Sequence, residues 1–194
     1  MKYFLSILFL FFVLQSCLNN TPPNKEQYPK ANTPKESIDD SLDIKLGQML
    51  IVGFRGTEVT KVSPIAKAIQ NLHLGGVVLF DLHVPTRKTE PLRNIESPTQ
   101  VKKLIEDLQS FAEIPLFVTS DQECGIIRRL KEKDGFPKTV SHQYLGELNS
   151  TDSTFQHTTI LANTLKKLGF NMNLAPVVDL NVNPENPITV SYTH

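Results

Sequence analysis

The sequence predicts an α/β fold built from parallel βα units, and three observations carry that prediction. Four short apolar segments between residues 48 and 180 have the length of β-strands. They are apolar throughout rather than alternating, as strands are when both faces of a sheet are covered. Segments with helical periodicity separate them, and hydrophobic residues make up 40% of the 194 residues, which is enough to build a core.

The strand and helix candidates alternate along the chain. The strand candidates are residues 48–54, 74–80, 114–120 and 171–180, and the helix candidates are 62–72, 98–112 and 154–168. The second helix candidate carries apolar residues at the i, i+3, i+4, i+7 spacing of one helical face, namely Val101, Leu104, Ile105 and Leu108. Ser97 or Thr99 can cap its start, and Gly169 is placed to end the third helix.

The N-terminus has the pattern of a signal peptide. A short cationic start is followed by an apolar run, Phe4–Leu14, that is too short to span a bilayer as a helix. The run ends in Leu14-Gln-Ser-Cys17, which resembles the lipobox of bacterial lipoproteins, where the Cys becomes the lipidated first residue. We therefore expect a lipoprotein signal peptide over residues 1–17 with lipidation at Cys17. An ordinary cleaved signal peptide is the alternative.

Residues 18–40 are rich in Pro, Asn and Lys and have few apolar side chains, so we expect a flexible tether there. The domain would then occupy residues 41–194. A lipid anchor would hold it at a membrane in the cell envelope, facing the periplasm or the exterior. With Cys17 modified, Cys124 would be a lone thiol, and no internal disulfide is expected.

Charge balance and histidine spacing argue against two classes of partner, nucleic acids and metal ions. Lys plus Arg equals Asp plus Glu at 20 each, so there is no basic field for nucleic acid. The five histidines stand at positions 73, 83, 142, 157 and 194 and show no metal-ligand spacing. We expect no metal and no cofactor. We expect His142 in a loop, and His73 and His157 to be packing or surface residues.

One polar cluster indicates a ligand site. Residues 119–129 read TSDQECGIIRR and follow the third strand candidate, so Asp121, Glu123, Arg128 and Arg129 stand where ligands bind in parallel sheets. Carboxylates accept hydrogen bonds and guanidinium groups donate them, and a sugar presents partners for both. The alternative is a solvated loop with surface ion pairs.

The segment DQECGIIRRL resembles the DQEGGRVQRL segment of the glycoside hydrolase family 3 N-terminal domain, closest to its β-N-acetylhexosaminidase branch. LGQMLIVGFRG, LHLGGVVLF and LKKLGFNMNLAPVVDLNVNPENPI resemble three further segments of that family, in the same order. Together they cover residues 45–188. The resemblance implies a TIM (β/α)8-barrel fold, of which about the first half, four βα units, is present.

The resemblance also implies a function. Members of the family hydrolyse glycosidic bonds with retention, using an Asp nucleophile and, in the hexosaminidase branch, a His in a KHFPGHG-like loop. Asp121 and Arg129 match the positions that hold the terminal sugar. Both catalytic residues would lie beyond residue 194, so we expect a truncated chain with open sheet edges and negligible hydrolysis. The alternatives are a β-glucosidase of the same family and a non-catalytic sugar-binding lipoprotein.

Three positions depart from the family pattern. Cys124 stands where the family has Gly, Ile126 where it has Arg, and Arg128 where it has Gln. We expect Cys124 to crowd the turn and to be a packed thiol rather than a nucleophile, because no His adjoins it in the motif. Asp179 ends the fourth strand candidate, and we favour a role in ordering the following loop over catalysis.

Overall fold

The computed structural model describes residues 41–82, 93–125 and 127–177. The expected signal peptide and tether, with Cys17, lie outside the described residues, as do Ile126 and Asp179. Within the described ranges, no helix combines the length and apolar character needed to cross a membrane.

The four predicted strands form one parallel sheet in the order β1–β2–β3–β4. They are β1 (Ile51–Gly53), β2 (Gly76–Val78), β3 (Phe117–Ser120) and β4 (Met172–Asn173). Each is shorter than the apolar run that predicted it. The backbone N–H of Phe80, for example, donates to the Asn94 side chain at 3.1 Å, so β2 is already leaving the ladder there.

In the described ranges five helices accompany the sheet: α1 (Leu42–Gln48), α2 (Pro64–Leu72), α3 (Pro98–Ser110), α4 (His142–Leu148) and α5 (Thr151–Leu168). A 3-10 turn covers Glu132–Asp134. The sequence predicted α2, α3 and α5 but missed α1 and α4. Each missed helix has seven residues, too few to display a periodic apolar face, and is begun by a serine that caps it, Ser41 or Ser141.

Two expectations near these short helices were wrong. Gln48 was placed at the start of the first strand, but it closes α1, and its side-chain amide donates to the His73 carbonyl at 2.8 Å. His142 was placed in a loop, but it is the first residue of α4, because the Ser141 hydroxyl accepts from Tyr144 N at 3.1 Å and starts the helix.

The core lies between the helices and one face of the sheet. The predicted apolar face of α3 is confirmed, since Val101, Leu104, Ile105 and Leu108 are all buried. They pack in one cluster with sheet residues that include Val77 and Val118. Burying a side chain of this size stabilises the fold by about 1.5–3 kcal/mol. Gly169 ends α5 with a φ of 100°, as predicted.

The other face of the sheet is apolar and open in the described part of the chain. Register places Ile51, Gly76 and Phe117 side by side, and their alternation puts them opposite the valines that face the helices. Ile51 and Phe117 are exposed to 40% and 54%. Parallel strands with helices on one face and an apolar inner face form a partial TIM-barrel-like α/β fold.

The amino ends of the strands are closed by a tight backbone contact between α1 and the start of β2. Gly75 N donates to the Gly47 carbonyl at 2.9 Å. A Cβ atom added at Gly75 would lie 2.0 Å from the Gln48 carbonyl oxygen. Only glycine fits there, and this contact fixes how α1 seats beneath the sheet.

Candidate functional site

Charged side chains from two neighbouring strands meet at the carboxyl edge of the sheet. Asp81 follows β2 and Asp121 follows β3, and the guanidinium of Arg129 bridges them. Arg129 Nη2 lies 2.8 Å from Asp121 Oδ2, and Nη1 lies 3.3 Å from Asp81 Oδ1. The ammonium of Lys131 pairs with the second oxygen of Asp81. The sequence-predicted residues Asp121 and Arg129 therefore lie together at the end of the sheet where ligands bind in this fold.

Exposure differs within this cluster, which we call the carboxylate–arginine cluster (Asp81, Asp121, Arg129 and Lys131). The Asp81 side chain is 6% exposed, whereas those of Asp121 and Arg129 are 22% and 20% exposed. Asp81 therefore forms the buried base, and Asp121, Arg129 and Lys131, the last 25% exposed, form the part that a ligand can reach. The two carboxylates and two cations balance one another, which limits the cost of their partial burial.

The Phe80 ring supports the cluster from below. The guanidinium carbon of Arg129 lies 5.3 Å from the ring centroid, and that of Arg93 lies 4.4 Å from it. Both contacts are in the range of cation–π attraction. Burial lowers the pKa of Arg93, and repulsion from Arg55 and Arg129 adds to that effect.

Gln122 sets the path of the chain between Asp121 and Arg129. Its side chain is fully buried, and Oε1 accepts from the backbone N–H of Arg129 at 2.8 Å and of Leu130 at 2.9 Å. The loop is thereby folded back onto the strand that it left, which brings Arg129 to Asp121.

Arg128 and Glu123, the other two charged residues of the predicted cluster, make different contacts. Arg128 donates to the Gly125 carbonyl at 3.0 Å, and the backbone N–H of Glu123 donates to the Ile127 carbonyl.

Cys124 occupies the tightest point of this loop. Its φ is 67°, in the left-handed region that costs a residue with a Cβ about 1–2 kcal/mol. This is a physical reason for the glycine that the family pattern has at this position. The side chain is 7% exposed, and burial raises the pKa of the thiol against the opposing influences of Thr139 and Arg128. A buried thiol held protonated is a poor nucleophile.

Backbone hydrogen bonds join the residues on either side of segment 83–92 at the end of β2. Arg93 N donates to the Asp81 carbonyl at 3.1 Å, and Asn94 N donates to the Phe80 carbonyl at 2.9 Å. The Asn94 side chain is fully buried and also donates to the Gly56 carbonyl at 3.0 Å. Residues 83–92, which include His83, lie outside the described residues.

The three histidines that the structure describes, His73, His142 and His157, are not part of the cluster. His73 caps the carboxyl end of α2 with a φ of 47°. His157 lies in α5, and its ring packs edge-to-face with that of Tyr144, with the ring centroids 6.4 Å apart. His142 lines a cavity beside the loop, and burial lowers its pKa. His194 lies outside the described residues. No group of three or more His, Cys, Asp or Glu in the described ranges is arranged to hold a metal ion.

Sequence reasoning missed Asp81 and Lys131. The signal for Asp81 was available, because it directly follows the apolar run of the second strand, in the same position that drew attention to Asp121. Lys131 carries no such signal. Its pairing with Asp81 spans 50 positions and depends on the loop fold set by Gln122.

Comparison with known proteins identifies the family. The sequence model described as "Glycosyl hydrolase family 3 N terminal domain" matches residues 41–193. The chain belongs to glycoside hydrolase family 3. A beta-hexosaminidase of Stenotrophomonas maltophilia (strain R551-3) is 31% identical over 138 residues, which is 68% of this chain and 37% of that protein. Beta-hexosaminidase A of Pseudoalteromonas piscicida is 27% identical over 168 residues, or 74% of this chain and 26% of that protein.

Solved structures of the family agree with the fold. A glycoside hydrolase family 3 beta-N-acetylglucosaminidase from Paenibacillus sp. str. FPU-7 is similar with a TM-score of 0.65 and 34% identity, over 76% of this chain and 26% of that one. The beta-N-acetylhexosaminidase of Beutenbergia cavernae DSM 12333 is similar with a TM-score of 0.59 and 26% identity, over 78% of this chain and 44% of that one. The chain thus spans from 26% to 44% of the length of these glycoside hydrolase family 3 proteins.

Proposed function

We propose that this glycoside hydrolase family 3 chain binds the terminal β-linked N-acetylglucosamine-type sugar of a substrate that a retaining β-N-acetylhexosaminidase cleaves. The observation that carries the proposal is the pairing of Asp121 with Arg129 at the carboxyl edge of the sheet, 2.8 Å apart and partly exposed. The similarity to a beta-hexosaminidase and to a beta-N-acetylglucosaminidase supports the same class of sugar.

The cluster offers the hydrogen bonds that a sugar needs. Asp121 has a carboxylate oxygen, Oδ1, beyond the one that pairs with Arg129, and it can accept from ring hydroxyls. Arg129 and Lys131 can donate to hydroxyl oxygens. Because Asp81 holds both cations from the buried side, their donors are positioned before the sugar arrives, which lowers the entropic cost of binding.

A binding titration tests this proposal on the 194-residue chain. N-acetylglucosamine should bind, and Asp121→Asn and Arg129→Gln should each weaken binding about tenfold or more, since charge-assisted hydrogen bonds contribute roughly 1.5–3 kcal/mol. Asp107→Asn, on the exposed side of α3, is the matched control and should leave affinity unchanged. Unchanged affinity in both cluster variants would contradict the assignment.

The same titration separates the alternatives. Glucose that binds more tightly than N-acetylglucosamine would favour a β-glucosidase of the same family. The hydrolytic step is a separate part of the proposal. In the retaining mechanism an Asp attacks the anomeric carbon and a His handles the proton. No stretch of the 194 residues resembles the KHFPGHG-like loop that supplies that His.

We therefore expect the 194-residue chain to bind sugar without cleaving it at a measurable rate. A chromogenic β-N-acetylglucosaminide incubated with the purified chain should release no product above the buffer rate. Robust turnover would show that the reacting groups are within the 194 residues and that their roles here are misassigned. Binding without turnover is also what a non-catalytic sugar-binding lipoprotein would give. Sequence downstream in the same reading frame distinguishes it, because a KHFPGHG-like loop there favours the enzyme.

We further propose that the protein is anchored in the cell envelope through Cys17. The support is the cationic start, the apolar run and the lipobox-like Leu14-Gln-Ser-Cys17. Inhibiting lipoprotein signal peptidase should make the precursor accumulate, and Cys17→Ser should abolish incorporation of labelled fatty acid. A precursor that is processed normally under the inhibitor would favour an ordinary secretory signal.

A further inference from the structure

A cavity lies beside the loop that carries Asp121 and Arg129, and none of the four residues of the carboxylate–arginine cluster lines it. It is lined by that loop, by residues 136–140 and by α4 and α5, and it is partly open to solvent, since Ile160 in its lining is 53% exposed. The space open to the centres of water-sized molecules is about 40 Å³. A single buried water needs roughly 10–15 Å³ on this measure, so the cavity holds about three waters or one small organic molecule.

Polar atoms without partners are concentrated in the residues that line this cavity. Five buried side-chain polar atoms in the described residues have no hydrogen-bond partner, and three of them belong to lining residues. They are Gln122 Nε2, His142 Nδ1 and Thr139 Oγ1, of which the last interacts with the Cys124 thiol. Gln122 is fully buried, and its Oε1 already accepts from two backbone N–H groups. Its Nε2 is therefore a buried donor that a ligand oxygen can bind. Native proteins rarely leave such a donor unpaired.

The rest of the lining is mostly apolar. Leu130, Phe136 and Leu145 are buried, and Leu161 packs beside them. Lys138 is the cationic side chain among the lining residues that the structure describes, and it is exposed at the rim. Gln122 Nε2, the buried donor of the lining, is uncharged, so an anion placed against it would lose its hydration without gaining an ion pair there. The chemistry favours an uncharged ligand with one acceptor oxygen and a short aliphatic part.

We propose that this cavity binds a small uncharged amide, ketone or alcohol. Its oxygen accepts from Gln122 Nε2, and its aliphatic part packs against Leu130 and Phe136. The site is separate from the sugar site, but it shares Gln122 with it. Gln122 Oε1 holds the backbone at Arg129 and Leu130 while Nε2 holds the ligand. A bound molecule therefore fixes the side chain that folds the sugar-binding loop.

An NMR titration of the 194-residue chain with isobutyramide tests the proposal directly. The side-chain NH₂ resonances of Gln122 should shift and saturate, with a dissociation constant on the order of millimolar for a ligand of about six non-hydrogen atoms. Isobutyrate has nearly the same shape with a negative charge and should bind at least tenfold more weakly. Absence of a saturable shift at Gln122 up to the solubility limit would mean that water alone fills the cavity, and the proposal would be wrong. Equal or tighter binding of isobutyrate would overturn the uncharged class of ligand.

Two variants of Leu161 locate the site, and Phe155→Trp is their control. Leu161→Trp fills the cavity and should reduce isobutyramide affinity at least tenfold, whereas Phe155→Trp, exposed on the same helix and outside the lining, should leave affinity unchanged. Leu161→Phe fills less of the cavity and should weaken binding severalfold even if Leu161→Trp does not fold. Unaltered affinity in every folded variant that changes the lining would place the ligand elsewhere.

Discussion

Asn173 hydrogen-bonds to both backbone polar groups of Gln122. Its Oδ1 accepts from Gln122 N at 3.1 Å, and its Nδ2 donates to the Gln122 carbonyl at 3.2 Å. Asn171 makes a similar pair of hydrogen bonds at the other end of β3. Its Oδ1 accepts from Val118 N at 2.7 Å, and its Nδ2 donates to the Leu116 carbonyl at 2.8 Å. The two amides extend the pairing of β3 with β4 beyond the two residues of β4 itself.

Asn173→Ala should weaken sugar binding, although Asn173 is not one of the residues proposed to contact the sugar. It frees the backbone of Gln122, whose side chain places Arg129, and the loss of two partly buried hydrogen bonds should lower the free energy of unfolding by about 1–3 kcal/mol. Asn171→Ala is the matched control, since it removes an equivalent pair of bonds far from the loop. Denaturation and N-acetylglucosamine titration of both variants separate the effects. Equal loss of affinity in the two would contradict a role for Asn173 through Gln122.

Asp81→Asn should destabilise the protein more than an exposed carboxylate does. Asp81 is nearly buried and pairs with Arg129 and Lys131, so its neutralisation leaves two partly buried cations undercompensated. We expect a loss of about 1–3 kcal/mol in the free energy of unfolding, measured by urea denaturation. Asp107→Asn breaks the exposed pair with Lys103 and should cost at most about 0.5 kcal/mol. Comparable losses in both would show that burial of Asp81 carries no energetic weight.

Gly75→Ala and Gly146→Ala should change stability in opposite directions. A Cβ at Gly75 would lie 2.0 Å from a backbone oxygen of Gln48, so α1 must shift and we expect a loss of about 3 kcal/mol or more. A Cβ at Gly146, inside α4, meets nothing within 4 Å and should add about 0.5–1 kcal/mol by favouring the helix. Thermal unfolding of the two variants measures both effects. A stabilised Gly75→Ala protein would refute the packing of α1 described above.

The stability of the fold should depend on pH through His142. Burial lowers the pKa of His142 below its ordinary value of 6.5, so the unfolded chain binds the proton at a higher pH than the folded protein does. Stability should therefore be fully present above about pH 6.5 and should fall as pH drops from there through the folded pKa.

The variant His142→Gln isolates this contribution from that of the carboxylates. Urea unfolding on both sides of pH 6.5 should show a smaller loss in the variant than in the parent protein. An identical pH dependence in the two proteins would mean that the imidazole is as accessible to protons in the fold as it is in the unfolded chain.

Sequence reasoning reached the features that depend on local patterns. The burial of Val101, Leu104, Ile105 and Leu108 followed from helical spacing, and the turn at Gly169 followed from its place after an apolar face. The position of Asp121 at a strand end followed from the change from apolar to charged residues. Each of these features depends on residues that lie close together in the sequence.

The rest depends on contacts between distant parts of the chain. The Asp81–Lys131 pair joins residues 50 positions apart, and Asn173 reaches Gln122 across 51 positions. The residues involved look ordinary in their local sequence. Gln48 shows the same limit in secondary structure, because it ends a helix whose seating depends on Gly75 rather than on its own apolar neighbours.

The paired backbone bonds between Asp81 and Arg93 and between Phe80 and Asn94 have a consequence for how this protein can diverge. They tie Phe80 and Asp81 to Arg93 and Asn94, so the end of β2 is held by contacts that lie outside residues 83–92. We expect changes of length or sequence within those residues, during evolution or by grafting in the laboratory, to leave the register of the sheet intact.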